Sequence, residues 1–274
     1  MDLLWSSAAG LGRIGNAALD LANNQLATIP GYITSTSYEA DGQTAQITYA
    51  NGVSTTFTYS PQRRWLTRVR TVNASGTALL DRQYTRDLAG RITAIDSLGT
   101  ADDWTYAYND LDYLLTANNT GVASLRETFT YSNAGNLLTR SRGALTFTYP
   151  AGTAPRPRAP TAVNGVAVTY DANGNMLADG ARTLTWDVAN RLATASVSGA
   201  LTNFRYGPDG ARAAKFAPTS STLWPTADVE ITTQGGVTTA TRYPHPDIKI
   251  TGTPGQPGCA KSLEVAADLI ELLP

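Results

Sequence analysis

The stretch YDANGNML, residues 170–177, places a tyrosine in front of an Asp, two Asn and a Gly. Such a cluster of oxygen-bearing side chains could hold a calcium ion, although calcium takes about six or more oxygen ligands. The same residues are typical of the tip of a β-hairpin, because Gly and Asn tolerate the positive φ that a tight reversal needs. If the pattern recurs along the chain, the hairpin turn is favoured over the calcium site, since hairpin turns repeat along a sheet and a single ion site does not.

The pattern recurs along most of the chain. Each copy has an aromatic residue, three spacers, then Gly, Asn or Asp, and an apolar residue two positions further on. The copies begin at Tyr38, Tyr59, Arg86 (with Tyr84 two residues earlier), Tyr108, Tyr131, Tyr170, Trp186 and Tyr206. Their spacings are 21, 27, 22, 23, 39, 16 and 20 residues, and a degenerate copy at Tyr149 would divide the longest. A register held this long predicts a structural repeat of about 21 residues.

The fifth position of each copy predicts where the chain reverses. It is occupied by Gly42, Arg63, Gly90, Asp112, Gly135, Gly174, Asn190 and Gly210. All but Arg63 are of the types that adopt positive φ most readily, so the turn at Arg63 is expected to be of another type. The aromatic and fifth positions are predicted to be structural, and no catalytic, cofactor-binding or metal-binding residue is predicted.

The residues before each aromatic alternate in character. Trp104, Tyr106 and Tyr108 share one face of a predicted strand, and Thr105 lies on the other. Each unit therefore predicts strand, turn, strand, turn. About eight or nine units give roughly sixteen strands in a band ~75 Å wide, which cannot stay flat because strands twist. The predicted fold class is all-β: consecutive antiparallel β-hairpins forming a coiled sheet or partial shell, with a short C-terminal helix.

Other candidate sites are outweighed by structural interpretations. The Asp that might bind calcium, Asp171, is replaced in other copies by Glu39, Ser60, Asn109, Ser132 and Gly207. The only histidine, His245, lies between two prolines, and no G-x-S-x-G motif accompanies it. Asp102 and Asp103 could form a hydrolytic carboxylate pair, but neighbours on a strand face opposite sides. The sequence therefore predicts a protein that is not an enzyme.

Composition excludes several further classes. The net charge of −1 gives no electrostatic case for nucleic acid. A single cysteine, Cys259, allows no internal disulfide. No stretch approaches the ~20 apolar residues of a membrane helix, so no membrane span is predicted. The first residues lack a basic region before their apolar run, so no signal peptide is predicted and the compartment stays open.

Three segments are predicted along the chain: an N-terminal segment 1–31, a repeat domain 32–250 and a tail 251–274. The Pro-rich stretch TAPRPRAPT, residues 153–161, is expected to be a stiff loop inserted between repeats, with a partner-binding polyproline segment as the alternative. The tail sequence KSLEVAADLIELLP predicts a helix capped by Ser262, which either docks on a partner or covers an open sheet edge.

The segments YDANGNMLADGARTLTWDVANRLATA and YGPDGARAAKF resemble the YD repeats of bacterial Rhs proteins, which are shared by Tc toxin C-components and the teneurin shell. The resemblance covers roughly residues 32–250. It implies a hollow β-shell that encloses a toxic polypeptide, in a secreted or cell-surface bacterial toxin system. Family shells use far more repeats, and the DPxGL-type autoproteolytic motif is absent. The resemblance therefore implies a truncated or orphan segment near the end of an Rhs core.

Two functions remain open at this point. The first is a non-catalytic scaffold that encapsulates or presents a polypeptide toxin or other cargo, with the remainder of an Rhs shell or the toxin as its partner and no cofactor. The second is a carbohydrate- or protein-binding surface, because Tyr and Trp on a sheet can stack on sugars. A band ~75 Å wide wrapped once is only about 24 Å across, so association of copies through open sheet edges is also expected.

Overall fold

The computed structural model describes residues 18–20, 25–245 and 248–253. Within these residues the chain forms β-strands joined by short turns, with two 3-10 helical turns and no α-helix. This confirms the all-β prediction. The chain divides into two compact units, whose main parts meet in sequence between Tyr149 and Pro150.

The first unit is a succession of antiparallel hairpins. Its strands are β1 (Ala18–Asp20), β2 (Gln25–Thr28), β3 (Ile33–Tyr38), β4 (Thr44–Tyr49), β5 (Ser54–Tyr59), β6 (Leu66–Val72), β7 (Ala78–Arg86), β8 (Ile92–Asp96), β9 (Trp104–Tyr108), β10 (Leu114–Asn119), β11 (Glu127–Tyr131), β12 (Leu137–Arg140) and β13 (Leu145–Thr148). The 3-10 turns are η1 (Thr100–Asp102) and η2 (Ala123–Leu125). β1 and β2 form a separate hairpin, and from β3 to β13 every strand pairs with the next along the chain.

The second unit continues the same arrangement. Its strands are β14 (Ala162–Val163), β15 (Val166–Ala167), β16 (Thr169–Tyr170), β17 (Met176–Ala178), β18 (Arg182–Trp186), β19 (Leu192–Val197), β20 (Ala200–Tyr206), β21 (Arg212–Ala217), β22 (Ser220–Thr226), β23 (Val229–Gln234), β24 (Val237–His245) and β25 (Ile248–Gly252). β14 and β15 form a hairpin, and β16 to β25 form one sheet in chain order. The strands outnumber the roughly sixteen expected because β1 and β2 precede the first aromatic copy, β14 and β15 lie between two copies, and β22 to β25 extend the sheet past the last copy.

The two faces of the strands differ as the period-two pattern requires. In β9, Trp104, Tyr106 and Tyr108 are half-buried, whereas Thr105 and Ala107 are exposed. The same alternation is found in β11, β13 and β18. We call the two sides the aromatic face and the threonine face. Their separation follows from the strand geometry, which sends successive side chains to opposite sides.

A dense core is confined to a small part of the described chain. Val229, Ile231 and Ala240 form a buried cluster on neighbouring strands of the second unit, with Leu223 packed against it. Elsewhere most side chains of the aromatic face are only half-buried. Backbone ladders and contacts between adjacent hairpins therefore carry much of the specificity of the fold.

Several predictions fall on residues outside this description. The tail helix, with its cap Ser262, and Cys259 lie outside the described residues, as do most of residues 1–31. The boundaries 1–31, 32–250 and 251–274 thus stay predictions. His245 is the last residue of β24.

Candidate functional site: the stacked row of turns

The turn in YDANGNML uses its polar side chains internally. The Asp171 amide donates to the carbonyl of Asn175 at 2.9 Å, and the Gly174 amide donates back to the Asp171 carbonyl at 3.2 Å. Asp171 Oδ1 accepts from the Asn175 amide at 2.8 Å, and Oδ2 accepts from Asn175 Nδ2 at 2.9 Å. The Asn175 side-chain bond, aided by backbone amides, lowers the pKa of Asp171. This carboxylate caps a hairpin turn, as the recurrence of the pattern indicates.

The same turn is built in seven of the eight copies. In each, the amide of the residue after the copy's first position donates to the carbonyl four positions on, in turns that start at Glu39, Asp87, Asn109, Ser132, Asp171, Asp187 and Gly207. The residue predicted to reverse the chain has positive φ in all seven, namely Gly42, Gly90, Asp112, Gly135, Gly174, Asn190 and Gly210. Positive φ at this position closes the hairpin with a local bulge.

The eighth turn differs, as expected, but not in the predicted place. The amide of Ser60 bonds the carbonyl of Trp65 at 2.8 Å, so the loop is one residue longer than in the other copies. The positive φ of 55° belongs to Arg64, not to Arg63. Arg64 then reaches back to Asp41 in the preceding turn, with Nε 2.6 Å from Oδ2. The extra residue shifts the reversal by one position.

The aromatic residues connect each hairpin to the one before. Five of them donate a hydrogen bond to the carbonyl of the sixth residue after the preceding copy's first position: Tyr59 to Thr44 (2.8 Å), Tyr108 to Ile92 (2.8 Å), Tyr131 to Leu114 (3.0 Å), Trp186 to Met176 (2.8 Å) and Tyr206 to Leu192 (2.9 Å). The strand register shifts by one residue beside each of these aromatics. We call these bonds rungs.

One rung is replaced where the repeat carries Arg86. Its Nη1 donates to the carbonyl of Gly90 at 3.0 Å, inside its own turn. Its buried Nε atom has no hydrogen-bond partner. The strand register still shifts by one residue at this copy, between Thr85 and Arg86. The Arg86 side chain, however, bonds within its own turn and makes no rung to the previous hairpin.

A second set of contacts joins neighbouring turns through the residue after the reversal. Gln43 Nε2 donates to the carbonyl of Arg64 at 3.1 Å, and Asn175 Nδ2 donates to Asn190 Oδ1 at 2.9 Å. Arg91 Nη1 donates to the carbonyl of Asn109 at 3.2 Å and contacts Asp112. These contacts link successive turns within each unit.

Arginine in this position serves two purposes at once. Arg191 Nε is 2.8 Å from Asp187 Oδ2 in its own turn, and its guanidinium lies 4.8 Å from the Tyr206 ring centre in the next copy. Arg91 repeats the arrangement with Asp87 and Tyr108, at 2.6 Å and 5.0 Å. The aspartate orients the guanidinium over the ring, where its charge meets the electron-rich face.

Aromatic side chains in this position require a glycine opposite. A Cβ added at Gly90 would lie 2.8 Å from Trp65 Cζ2, and one at Gly135 would overlap the Tyr113 hydroxyl. Tyr113 also packs on Tyr131, with ring centres 4.9 Å apart. At these turns glycine supplies both positive φ and room for the ring of the preceding copy.

The proline-rich loop supplies a substitute for a missing copy. Arg156 has φ 58°, like Arg64, which interrupts any polyproline helix at that point. Its Nη2 donates to the carbonyl of Ala172 at 3.2 Å, and its guanidinium lies 6.0 Å from the Tyr170 ring centre. Tyr170 in turn donates to the carbonyl of Pro160 at 2.9 Å. Arg156 thus occupies the place that Arg191 occupies for Tyr206.

The aspartate pair considered for hydrolysis is structural. Asp103 Oδ1 accepts a 2.6 Å bond from the amide of Ser97, and Asp102 is an exposed residue of η1. Among the residues that the structure describes, no cluster of three His, Cys, Asp or Glu side chains could hold a metal ion.

Sequence reasoning missed one ionic cluster on the aromatic face. Glu127 is only 6% exposed and accepts two bonds from Arg140, at 2.9 and 3.0 Å, with Arg142 beside it. The Arg140 hydrogen bonds lower the pKa of Glu127. The alternation in ETFTY indicates that Glu127 shares a face with Phe129, but the partner arginines depend on the pairing of strands β11 and β12.

Comparison with known proteins agrees with this geometry. The RHS repeat family matches residues 38–78. No curated protein matches the sequence. A Photorhabdus luminescens Tc holotoxin pore structure superposes with a TM-score of 0.67 at 19% identity, over 90% of this chain and 15% of the solved chain. The TcdB2–TccC3 crystal structure superposes with a TM-score of 0.67 at 20% identity, over 89% of this chain and 15% of the solved chain. The TcdB2–TccC3–Cdc42 crystal structure superposes with a TM-score of 0.61 at 19% identity, over 88% of this chain and 15% of the solved chain.

The chain thus spans about a seventh of the length of the solved chains that it matches. None of the helical segments within the described residues has the length and apolarity needed to cross a membrane. The chain thus carries an RHS repeat at residues 38–78 and, over most of its length, has the fold of the solved Tc toxin chains that it matches.

Proposed function

We propose that the chain is a non-catalytic wall segment of a shell, which encapsulates or presents a polypeptide toxin or other cargo. The observation that carries the proposal is the difference between the two faces of the strands. Phe129 and Tyr131 are half-buried on the aromatic face of β11, while Thr128 and Thr130 are exposed on the other. A wall that separates cargo from solvent needs one apolar side that contacts the cargo, here the aromatic face, and one polar side in water, here the threonine face.

The stacked turns support a mechanical role. Polar side chains of the turns, such as Asp171, Asp87 and Asp187, are engaged in capping bonds and ion pairs. They hold adjacent hairpins in register and are not poised as nucleophiles or general bases. The chain is therefore proposed to act by enclosing its partner, with no cofactor and no turnover.

The partners proposed are the remainder of an Rhs shell and a toxin polypeptide. The similar solved structures are components of a Tc holotoxin pore and of TcdB2–TccC3 complexes. By analogy with them, this chain works in a secreted or cell-surface toxin system. The fold similarity supports this placement, and the cargo has to be identified by capture.

Binding of an unfolded polypeptide tests the proposal. Fluorescein-labelled, reduced and carboxymethylated α-lactalbumin serves as the probe, and its anisotropy is followed as the purified chain is added. Phe129→Ser on the aromatic face is compared with Thr130→Ala on the threonine face of the same strand. We expect Phe129→Ser to weaken binding about tenfold, because burying a Phe side chain contributes about 1.5–3 kcal/mol. Equal binding by the two variants would contradict the assignment of faces.

Edge-to-edge association is part of the same proposal. An open sheet leaves strand edges with unpaired backbone groups, which invite pairing with another copy or with more shell. Light scattering should then show species heavier than the 29.0 kDa monomer at micromolar concentration. A stable monomer that also retained a folded guest of its own size would show that neither more shell nor a second copy is needed.

One observation favours the second candidate, a glycan-binding surface. Trp104 and Tyr106 lie side by side on β9 with ring centres 6.1 Å apart and planes only 5° from parallel. Parallel rings of this kind can stack on the apolar face of a sugar. A glycan array separates the candidates: saccharide binding that is lost in Trp104→Ala supports this surface, and an array without signal leaves the wall segment as the function.

A further inference from the structure

We propose that Asn73 is an acceptor for N-linked glycosylation, with a sugar activated as a nucleoside diphosphate as the donor. The tripeptide Asn73-Ala74-Ser75 has the Asn-x-Ser/Thr form that asparagine glycosyltransferases recognise. It lies in the turn between β6 and β7, at the end of these strands that is opposite to the stacked row of turns. The site is therefore separate from the turns and rungs described above.

Two tripeptides of this form occur in the whole sequence, and the structure describes both. The second is Asn118-Asn119-Thr120, at the end of β10. Both satisfy the sequence requirement equally, because neither has proline in the middle. The choice between them depends on how the fold presents each asparagine.

The turn at Asn73 is open to solvent. Ala74, Ser75, Gly76 and Thr77 are exposed, and Asn73 is half-buried. The Asn73 amide donates to the Thr77 carbonyl at 2.9 Å, and the Gly76 amide donates back to the Asn73 carbonyl at 2.9 Å. Exposed turns of small residues are the places where an enzyme can approach the backbone of a folded chain.

The carboxamide of Asn73 is held through its oxygen. Asn73 Oδ1 accepts from the Ser75 amide at 3.1 Å, from Ser75 Oγ at 2.7 Å and from the Thr77 amide at 2.9 Å. Backbone amides only donate, so the atom that faces them is the oxygen and the other is the nitrogen. None of these three bonds uses Nδ2, which is the atom that accepts a sugar.

This arrangement favours reaction at Nδ2. A carboxamide nitrogen is a poor nucleophile because its lone pair is shared with the carbonyl oxygen. As Nδ2 loses a proton, negative charge develops on Oδ1, where donors that are already in place stabilise it. The hydroxyl of Ser75 makes the shortest of the three bonds. The hydroxyl two residues after the asparagine thus has a direct chemical purpose in this turn.

The transfer balances with the activated sugar as the only co-reactant. Nδ2 attacks the anomeric carbon of the sugar, and a nitrogen–carbon bond replaces the bond from that carbon to the phosphate oxygen. The electron pair of the broken bond leaves with the nucleoside diphosphate. The proton from Nδ2 passes to a base of the transferase.

The second tripeptide is built into the sheet. Asn118 pairs with Thr105 of β9. The middle residue, Asn119, is fully buried: its Nδ2 donates to the Ala101 carbonyl at 2.7 Å, and its Oδ1 accepts from the Val122 amide at 2.6 Å. A transferase would have to break these bonds and separate strands to bind this tripeptide. The fold therefore withholds Asn118 and offers Asn73.

Sugar transfer to the folded full chain tests the proposal. The chain is incubated with a soluble asparagine glycosyltransferase and UDP-glucose, intact mass counts the hexoses, and peptide mapping locates them. We expect one hexose at Asn73 and at least about tenfold less at Asn118. Ser75→Ala removes the hydroxyl but keeps both backbone bonds to Oδ1, and it should reduce transfer about tenfold or more. Asn118→Gln is the control and should leave transfer unchanged.

Two synthetic peptides, residues 69–79 and 114–124, show what the enzyme accepts without the fold. Transfer to both peptides, with transfer only to Asn73 in the folded chain, would support selection by the fold. Refusal of the second peptide alone would assign the selectivity to sequence, and the structural argument would be wrong. Absence of transfer to Asn73 in the folded chain, equal transfer to Asn118, or undiminished transfer in Ser75→Ala would also overturn the proposal. The assay measures no cargo binding, so its outcome is independent of the proposed wall function.

Discussion

The hydroxyl of Tyr206 donates a hydrogen bond of 2.9 Å to the carbonyl oxygen of Leu192, the residue six positions after Trp186. Trp186 makes the equivalent bond to Met176 at 2.8 Å through its indole nitrogen. An indole and a phenol can serve the same purpose because each carries a donor at the end of a large apolar ring. The rung, rather than the identity of the ring, is what the repeat preserves.

Loss of one rung has a defined cost. Tyr206→Phe keeps the ring under Arg191 but leaves the carbonyl of Leu192 without this donor. We expect the free energy of unfolding to fall by about 1 kcal/mol, the net value of one hydrogen bond. Urea unfolding followed by circular dichroism measures the change. Tyr32→Phe, at an exposed tyrosine before β3, is the control and should shift the midpoint little; equal losses in both variants would contradict the rung's importance.

A pair of glycine substitutions separates backbone strain from crowding. Gly90 and Gly210 both have positive φ, at 91° and 80°. Only Gly90 faces a ring, that of Trp65, and nothing lies within 4 Å of a Cβ added at Gly210. Gly210→Ala should cost about 1–2 kcal/mol from the left-handed backbone alone. Gly90→Ala should cost about 1–3 kcal/mol more because the ring must move.

The measurement is urea unfolding of both variants together with Trp65→Ala. If crowding is the cause, adding Trp65→Ala to Gly90→Ala should recover part of the additional loss. An equal loss in Gly90→Ala and Gly210→Ala would show that the Trp65 ring moves aside freely.

The ionic cluster around the buried Glu127 predicts how stability depends on pH. The hydrogen bonds from Arg140 hold the pKa of Glu127 below its ordinary value of 4.5 in the folded chain. A lowered folded pKa contributes stability that is present above the unfolded pKa and is lost as pH falls through the folded pKa. The wild-type chain should therefore lose stability below about pH 4.5, and Glu127→Gln should flatten that part of the profile.

Glu127→Gln should also be less stable than the wild type near neutral pH, because Arg140 and Arg142 lose their carboxylate partner. Thermal unfolding across the acid range measures both effects. Asp102→Asn, at an exposed carboxylate of η1, is the control for the removal of one negative charge. An acid slope as steep in Glu127→Gln as in the wild type would assign the pH dependence to other carboxylates, such as Asp171.

The sequence was most informative where one residue type satisfies a local backbone need. Gly135 and Asn190 could be placed in turns because positive φ restricts the residue choice. Arg64 could not, because an inserted residue lengthens the turn without changing the surrounding pattern. The cluster of Glu127 with Arg140 depends on the pairing of β11 and β12, and register between strands cannot be read from one strand's alternation.

A tyrosine at position 86 should restore the missing rung and be more stabilising there than a phenylalanine. Arg86 stands at the first position of its copy, where other copies have a ring, and its buried Nε has no partner. By analogy with Tyr108 and Ile92, a tyrosine here would direct its hydroxyl to the carbonyl of Leu66, the residue that pairs with Tyr59 in the longer hairpin. The free energy of unfolding of Arg86→Tyr should therefore exceed that of Arg86→Phe by about 1 kcal/mol, because the two variants differ only in that hydroxyl. Urea unfolding measures the difference. Both variants lose the bond from Arg86 to Gly90, so the comparison cancels that loss. Indistinguishable unfolding of the two variants would mean that the longer turn at Arg64 has moved the Leu66 carbonyl out of reach, and that this copy cannot form a rung with any residue.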